Sequence, residues 1–188
     1  RSRSGTNRST WDLDISGGKS LHYASIHRAA RRHLYENNCG IDRPYYFHRI
    51  CYLDSEGSGE YWADMSAYAG GAIPDIKIYG YEDGYKSSYR VFENTTHELG
   101  HAQNCLGIGR INYWQVSKII YESWAECVAW ALCNQEYGEL NASASQRNTL
   151  NSACSLQKIW PIKKKDKSYS PLFIDLIDDF NHRLTCGD

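Results

Sequence analysis

The stretch that decides the fold of this chain runs from residue 92 to residue 102 and reads Phe92-Glu93-Asn94-Thr95-Thr96-His97-Glu98-Leu99-Gly100-His101-Ala102. It contains no proline, and apolar residues in and just before it recur at roughly helical spacing, as in Tyr89, Phe92, Leu99 and Ala102. On such a helix the imidazoles of His97 and His101 share one face and can grip a single zinc ion. The carboxylate of Glu98 can then reach a water beside that metal.

A catalytic zinc site usually has three protein ligands and one open position, so a third ligand is needed besides His97 and His101. One large class takes it from a histidine six residues beyond the second histidine, with a glycine midway. Gly107 and Asn104 occupy those positions here, which excludes that class. The chain offers instead a strongly helical segment over residues 121–132, with two carboxylates, Glu122 and Glu126, on one face.

These residues resemble the gluzincin metallopeptidases, which carry His-Glu-x-x-His on one helix and a glutamate ligand on the next. The spacing of Glu122 and Glu126 is most similar to the Glu-x-x-Ala-Glu pattern of the lethal-factor-like and proline-directed endopeptidases. The resemblance implies that His97, His101 and Glu122 bind zinc and that Glu126 accepts the free N–H of a ligating histidine. Glu126 is the main rival of Glu122 as ligand, and an ordinary solvated helix face is the alternative for both.

The same resemblance implies a reaction and a fold. Glu98 would be the general base of a zinc endopeptidase acting on a peptide or protein substrate, within an α+β, zincin-like domain with a small mixed sheet. Such sites need a donor for the developing oxyanion, often a tyrosine or histidine. Tyr113 is the candidate here, with His182 as a distant alternative. The role of Tyr113 stays open because lethal-factor-like enzymes carry their tyrosine where this chain has Gln115.

The remaining elements follow from periodicity. Residues 19–36 predict an amphipathic helix, on which His22, His27 and His33 are expected at the surface because no acidic partner lies at ligand spacing. The other predicted elements are strands at 45–53 and 73–81 and helices at 143–159 and 171–184. Residues 76–79 are either the sheet edge that pairs with an extended substrate or an interior strand.

Length and composition set the domain organisation. The 188 residues, 41% of them hydrophobic, predict a flexible segment over 1–16 and a single catalytic domain over 17–188. The net charge of −1 gives no overall pull toward nucleic acid, and no apolar run is long enough to span a membrane. The first residue is arginine, so we expect a processed or trimmed segment of a longer protein.

The cysteines bear on localisation. Seven are spread along the chain without a Cys-x-x-Cys pair, at Cys39, Cys51, Cys105, Cys127, Cys133, Cys154 and Cys186. This favours disulfides and a secreted or cell-envelope protein, although Cys127 and Cys133 could be buried thiols on the apolar helix. A glycan at Asn94 in its Asn-Thr-Thr triplet would crowd the site, which favours a bacterial source.

A rival hypothesis of another class remains open. Six tryptophans and fifteen tyrosines could serve a secreted binding module that recognises glycans or a host surface, with a structural or vestigial zinc. Cleavage specificity is not readable, because pockets are shaped by loops such as 54–71 and 79–88.

Overall fold

The computed structural model describes residue 15, residues 17–36, 48–62 and 74–137, and residue 173. Its elements, in chain order, are α1 (Gly18–Tyr35), β1 (Ile50–Glu56), β2 (Gly59–Tyr61), β3 (Ile76–Tyr81), α2 (Ser88–Ile108), α3 (Arg110–Gln115) and α4 (Lys118–Tyr137). The described part is therefore an α+β structure, as the sequence predicts. The N-terminal segment, the helix predicted at 143–159 and all but Phe173 of the helix predicted at 171–184 lie outside the described residues.

The three strands form one mixed sheet in the order β1-β3-β2. β1 pairs with β3 in parallel, with Ile50 opposite Ile76, and β2 pairs with β3 in antiparallel fashion, with Gly59 opposite Ile78. β3 thus has a partner on each side, so residues 76–79 are an interior strand and the edge hypothesis for them is wrong. Among the described strands, the edge nearer the histidine motif is β2.

Helix α2 packs between two apolar layers, because it carries apolar residues on two of its faces. Val91 and Leu99 pack on Ile76 and Ile78 of the sheet, and Phe92 packs among residues of α1 and α4. The helix begins at the N-cap Ser87, whose side chain accepts a hydrogen bond from the backbone N–H of Arg90 (3.2 Å). The predicted helix around the histidine motif is confirmed.

Helices α2 and α4 approach each other closely at Gly100. An ideal Cβ at this position would lie 2.9 Å from Cα of Ala125 and 3.2 Å from Cβ of Val128. A side chain of any size at residue 100 would therefore push the helices apart. This contact brings the Glu122 and Glu126 turns of α4 beside the two histidines.

Helix α1 confirms the predicted boundaries to within a residue, but its buried face differs from the prediction. His22 and His33 are fully buried, and only His27 is exposed as expected. His22 is buried because its ring nitrogens have partners: Nδ1 lies 3.0 Å from the hydroxyl of Tyr52 and Nε2 lies 2.7 Å from the carbonyl of Lys86. A prediction of the buried face that counts only apolar residues misses polar side chains that are buried because they are hydrogen-bonded.

The burial of His33 predicts a pH dependence of stability. Burial, with nearby His48 adding to it, lowers the pKa of His33 from 6.5 to about 4, so the unfolded chain binds a proton that the folded protein does not. The contribution of His33 to the free energy of unfolding should fall by about 3 kcal/mol as pH drops from about 6.5 to 4, and no further below that. We expect His33→Gln to lose this contribution, so the difference in free energy of unfolding between the wild-type protein and the variant should change by about 3 kcal/mol over that pH range, as measured by urea unfolding at several pH values with chelator present.

The matched control for that prediction is His27→Gln, since His27 is exposed on the same helix. It should keep the pH dependence of the wild-type protein. A difference in free energy of unfolding between wild type and His33→Gln that does not change with pH would show that His33 makes no such contribution.

The described cysteines form no disulfide with one another. Cys127 and Cys133 are buried in α4, in keeping with the alternative of small buried thiols. Cys39, Cys154 and Cys186 lie outside the described residues, so disulfide formation stays a prediction. Within the described ranges no helix is long and apolar enough to cross a membrane.

Candidate metal centre

Three side-chain donors from α2 and α4 converge on one point. Nε2 of His97 and Nε2 of His101 lie 3.1 Å apart, and Oε2 of Glu122 lies 3.4 Å from each of them. Among the described residues, this is the one group of His, Cys, Asp and Glu side chains close enough together to hold a metal ion. Helical spacing on α2 and the close approach at Gly100 together produce the convergence.

The spacing of these donors fits zinc. Ligands at 2.0–2.1 Å from a tetrahedral ion are separated from one another by about 3.3 to 3.4 Å. The three observed separations, 3.1, 3.4 and 3.4 Å, are close to that edge length. Two imidazole lone pairs at 3.1 Å repel unless a proton or a cation lies between them, so the donor set could hold a cation at this point.

The opposite ring nitrogens of both histidines have partners of their own. Nδ1 of His97 lies 3.2 Å from Oε2 of Glu126, and Nδ1 of His101 lies 3.2 Å from the hydroxyl of Tyr113. When Nδ1 carries the proton in each ring, Nε2 is left with its lone pair facing the convergence point. These partners therefore hold both rings with Nε2 directed toward the convergence point.

The charges of the group are strongly coupled. Burial disfavours the charged form of His97, but hydrogen bonds to Glu122 and Glu126 outweigh burial and raise its pKa to about 10. Burial alone would raise the pKa of Glu122, yet hydrogen bonds from His101 and His97 hold it well below the usual range. The site thus holds the Glu122 carboxylate ionised and attracts positive charge.

Glu98 lies beside this group and against strand β2. Its side chain is 6% exposed, and burial raises its pKa to about 7, with His97 acting in the opposite direction. An ideal Cβ at Gly59 would lie 2.6 Å from Oε1 and 2.9 Å from Cγ of Glu98. Only glycine at residue 59 therefore allows the strand to lie this close to the Glu98 carboxylate.

The carboxylate of Glu60 links strand β2 to its neighbour β3. Glu60 accepts hydrogen bonds from the hydroxyl of Tyr79 (2.7 Å), from Nε1 of Trp62 (3.0 Å) and from Nζ of Lys77 (3.2 Å). The Tyr79 hydrogen bond is the main reason that the pKa of Glu60 is lowered. The hydrogen bonds from Tyr79 and Lys77, both on β3, hold β2 against that strand beside Glu98.

The turn that leads into β2 is also fixed. Nζ of the buried Lys86 donates to the carbonyls of Gly57 (2.5 Å) and Ser58 (3.0 Å), and Nδ2 of Asn94 donates to the carbonyl of Ser58 (2.9 Å). Asn94 is buried and its amide is occupied, so a glycan on it is incompatible with this arrangement.

Most of the site predicted from the sequence comes together here. His97, Glu98, His101, Glu122 and Glu126 lie in one group, whereas His182 lies outside the described residues. Tyr113 is present but lies behind His101, at Nδ1, which differs from the expected position of an oxyanion donor. Gly59, Glu60 and Lys86 belong to no motif in the sequence, and the only signal for them is that they lie in the loops 54–71 and 79–88, which were expected to shape the specificity pockets.

Comparison of the chain with protein-family models, curated proteins and solved structures finds no match. Its function is therefore argued from the side chains of the site and their surroundings.

Proposed function

We propose that this chain is a zinc-dependent metalloendopeptidase of the gluzincin type with a zincin-like fold. The observation that carries the proposal is the convergence of His97 Nε2, His101 Nε2 and Glu122 Oε2 beside the buried carboxylate of Glu98. Two imidazoles and one carboxylate, with a fourth position left for water or substrate, form a donor set typical of catalytic zinc.

Each residue has a separate role in the proposed reaction. His97, His101 and Glu122 would hold the zinc ion, which when bound supplies a Lewis acid that polarises a carbonyl and lowers the pKa of water. Glu98 accepts the proton of the attacking water as the water oxygen bonds to the peptide carbon. It then gives that proton to the amine nitrogen as the C–N bond breaks. A buried carboxylate whose pKa is raised toward neutrality suits both transfers.

The edge of β2 is the proposed site for the substrate backbone. Among the described strands β2 pairs only with β3, and its first residue, Gly59, touches Glu98. An extended peptide that adds to this edge as a strand would bring a backbone carbonyl near Glu98. The hydrogen bonds to Glu60 preorganise the edge, so little ordering is needed on binding.

Metal-dependent cleavage of peptides tests the proposal. We expect the purified chain to bind one zinc ion, measured by atomic absorption, and to cleave members of a diverse peptide library, measured by mass spectrometry. A chelator should abolish cleavage and added zinc should restore it. Cleavage that is unaffected by complete removal of the metal would contradict the proposed mechanism.

A non-catalytic binding module is the second candidate, and one observation favours it. Tyr23 and Tyr85 are about half exposed and form an aromatic group with Tyr52 and the buried His22, whose ring stacks on Tyr85 at 4.2 Å. Exposed aromatic rings suit recognition of glycans or other surfaces. One bound zinc ion per chain without cleavage of any peptide would favour this candidate.

A further inference from the structure

We infer that Tyr113 is a positioning residue for His101. The Tyr113 hydroxyl fixes the tautomer and orientation of the His101 imidazole and thereby raises the affinity of the site for zinc. The inference rests on the proposed metal site but does not depend on peptides being the substrate. It gives Tyr113 a role different from direct contact with a developing oxyanion.

The position of the hydroxyl carries the inference. Tyr113 is 3% exposed, and its hydroxyl lies 3.2 Å from Nδ1 of His101. Nε2 of the same ring faces His97 and Glu122. A group hydrogen-bonded at Nδ1 lies behind the ring as seen from a ligand at Nε2, so the hydroxyl supports His101 and does not face the open side of the site.

Hydrogen bonding explains what the hydroxyl does for the metal. His101 can offer a lone pair from Nε2 only in the tautomer whose proton is on Nδ1. In that tautomer Nδ1–H donates to the Tyr113 oxygen, and a buried donor left without this acceptor would be costly. Tyr113 therefore stabilises the one tautomer of His101 that can bind a metal.

The packing of Tyr113 makes this support rigid. Its ring lies 5.1 Å from the ring of Tyr121 and 6.3 Å from that of Tyr61, and it is buried with Cys105. The short helix α3 that carries it begins directly after Gly109, whose φ of 83° lies in the region that favours glycine. This sharp change of direction after α2 brings Tyr113 back against His101.

The two histidines are consequently supported by different chemistry. A carboxylate, Glu126, lies at Nδ1 of His97, whereas a neutral phenol lies at Nδ1 of His101. A tyrosine phenol is ordinarily neutral at neutral pH. A neutral partner at His101 avoids adding a further negative charge to a site that already contains Glu98, Glu122 and Glu126.

The test compares Tyr113→Phe with Tyr121→Phe in the full chain. Phenylalanine keeps the buried ring and removes only the hydroxyl, and thermal melts with chelator check that the fold is retained. Tyr121 is the matched control because its ring packs on both His101 (5.7 Å) and Tyr113. We expect zinc affinity, measured by competition with a chromophoric chelator, to fall roughly 10- to 100-fold in Tyr113→Phe and to stay unchanged in Tyr121→Phe.

The absorption spectrum of the cobalt-substituted protein gives a second readout, since a reoriented imidazole changes the ligand field. We expect it to shift in Tyr113→Phe alone. Unchanged zinc affinity and an unchanged cobalt spectrum would overturn the inference. If cleavage alone fell, Tyr113 would be a donor to the substrate. Wild-type protein that binds zinc but cleaves no peptide would contradict the proposed peptidase and leave this comparison intact.

Discussion

Replacing Glu98 by glutamine is expected to lower peptide cleavage roughly a thousandfold while one zinc ion stays bound per chain. Glutamine has nearly the same size as glutamate, so it fits the space beside Gly59 that the Glu98 side chain occupies. The glutamine amide is not basic enough to accept a proton from water, so it has no proton to give to the leaving amine. The measurements are kcat/KM on a cleaved library peptide and metal content by atomic absorption.

The control for this prediction is Glu93→Gln, the same substitution on the same helix. Glu93 forms an ion pair with Arg90 and lies outside the donor group. It should cleave the peptide at the wild-type rate. Wild-type cleavage by Glu98→Gln would remove Glu98 from the mechanism, and loss of zinc in that variant would show that Glu98 has a structural role at the metal.

The elements that hold the site could be predicted because their signals are local. The apolar spacing around His97 and around Glu122 predicts two helices, and both are observed as α2 and α4. On each helix, residues four apart share a face by geometry alone. What the sequence could not give was the distance between the helices. That distance depends on Gly100 meeting Ala125, a contact between residues far apart in the chain.

The parts that were missed depend on tertiary contacts of polar residues. Strand β2 has only three residues, too few for a period of two to be recognised, and its place depends on Glu60 and the turn bound by Lys86. His22 was expected at the surface because no acidic partner lies at ligand spacing in the sequence, whereas its actual partners, Tyr52 and the Lys86 carbonyl, come from distant segments. The side of His101 on which Tyr113 lies depends on the direction of the chain after Gly109.

The identity of the third ligand can be argued from which nitrogen each glutamate faces. Glu122 Oε2 lies 3.4 Å from Nε2 of both histidines, whereas Glu126 Oε2 lies 3.2 Å from Nδ1 of His97. A metal ligand must share the Nε2 side of the rings with the ion. Glu126 lies on the Nδ1 side of His97, where its carboxylate can accept the N–H of that ring. Glu122 is therefore the expected ligand.

Two alanine variants of α4 should therefore differ in zinc affinity. We expect Glu122→Ala to weaken zinc binding roughly a thousandfold, because one of three ligands is lost, and Glu126→Ala to weaken it about 10- to 100-fold. Alanine favours the helix, so the fold should persist in both, and Glu136→Ala on the same helix is the control that should bind zinc normally. Competition with a chromophoric chelator ranks the variants. A larger loss in Glu126→Ala would reverse the two roles, and equal losses would mean that both carboxylates bind the ion.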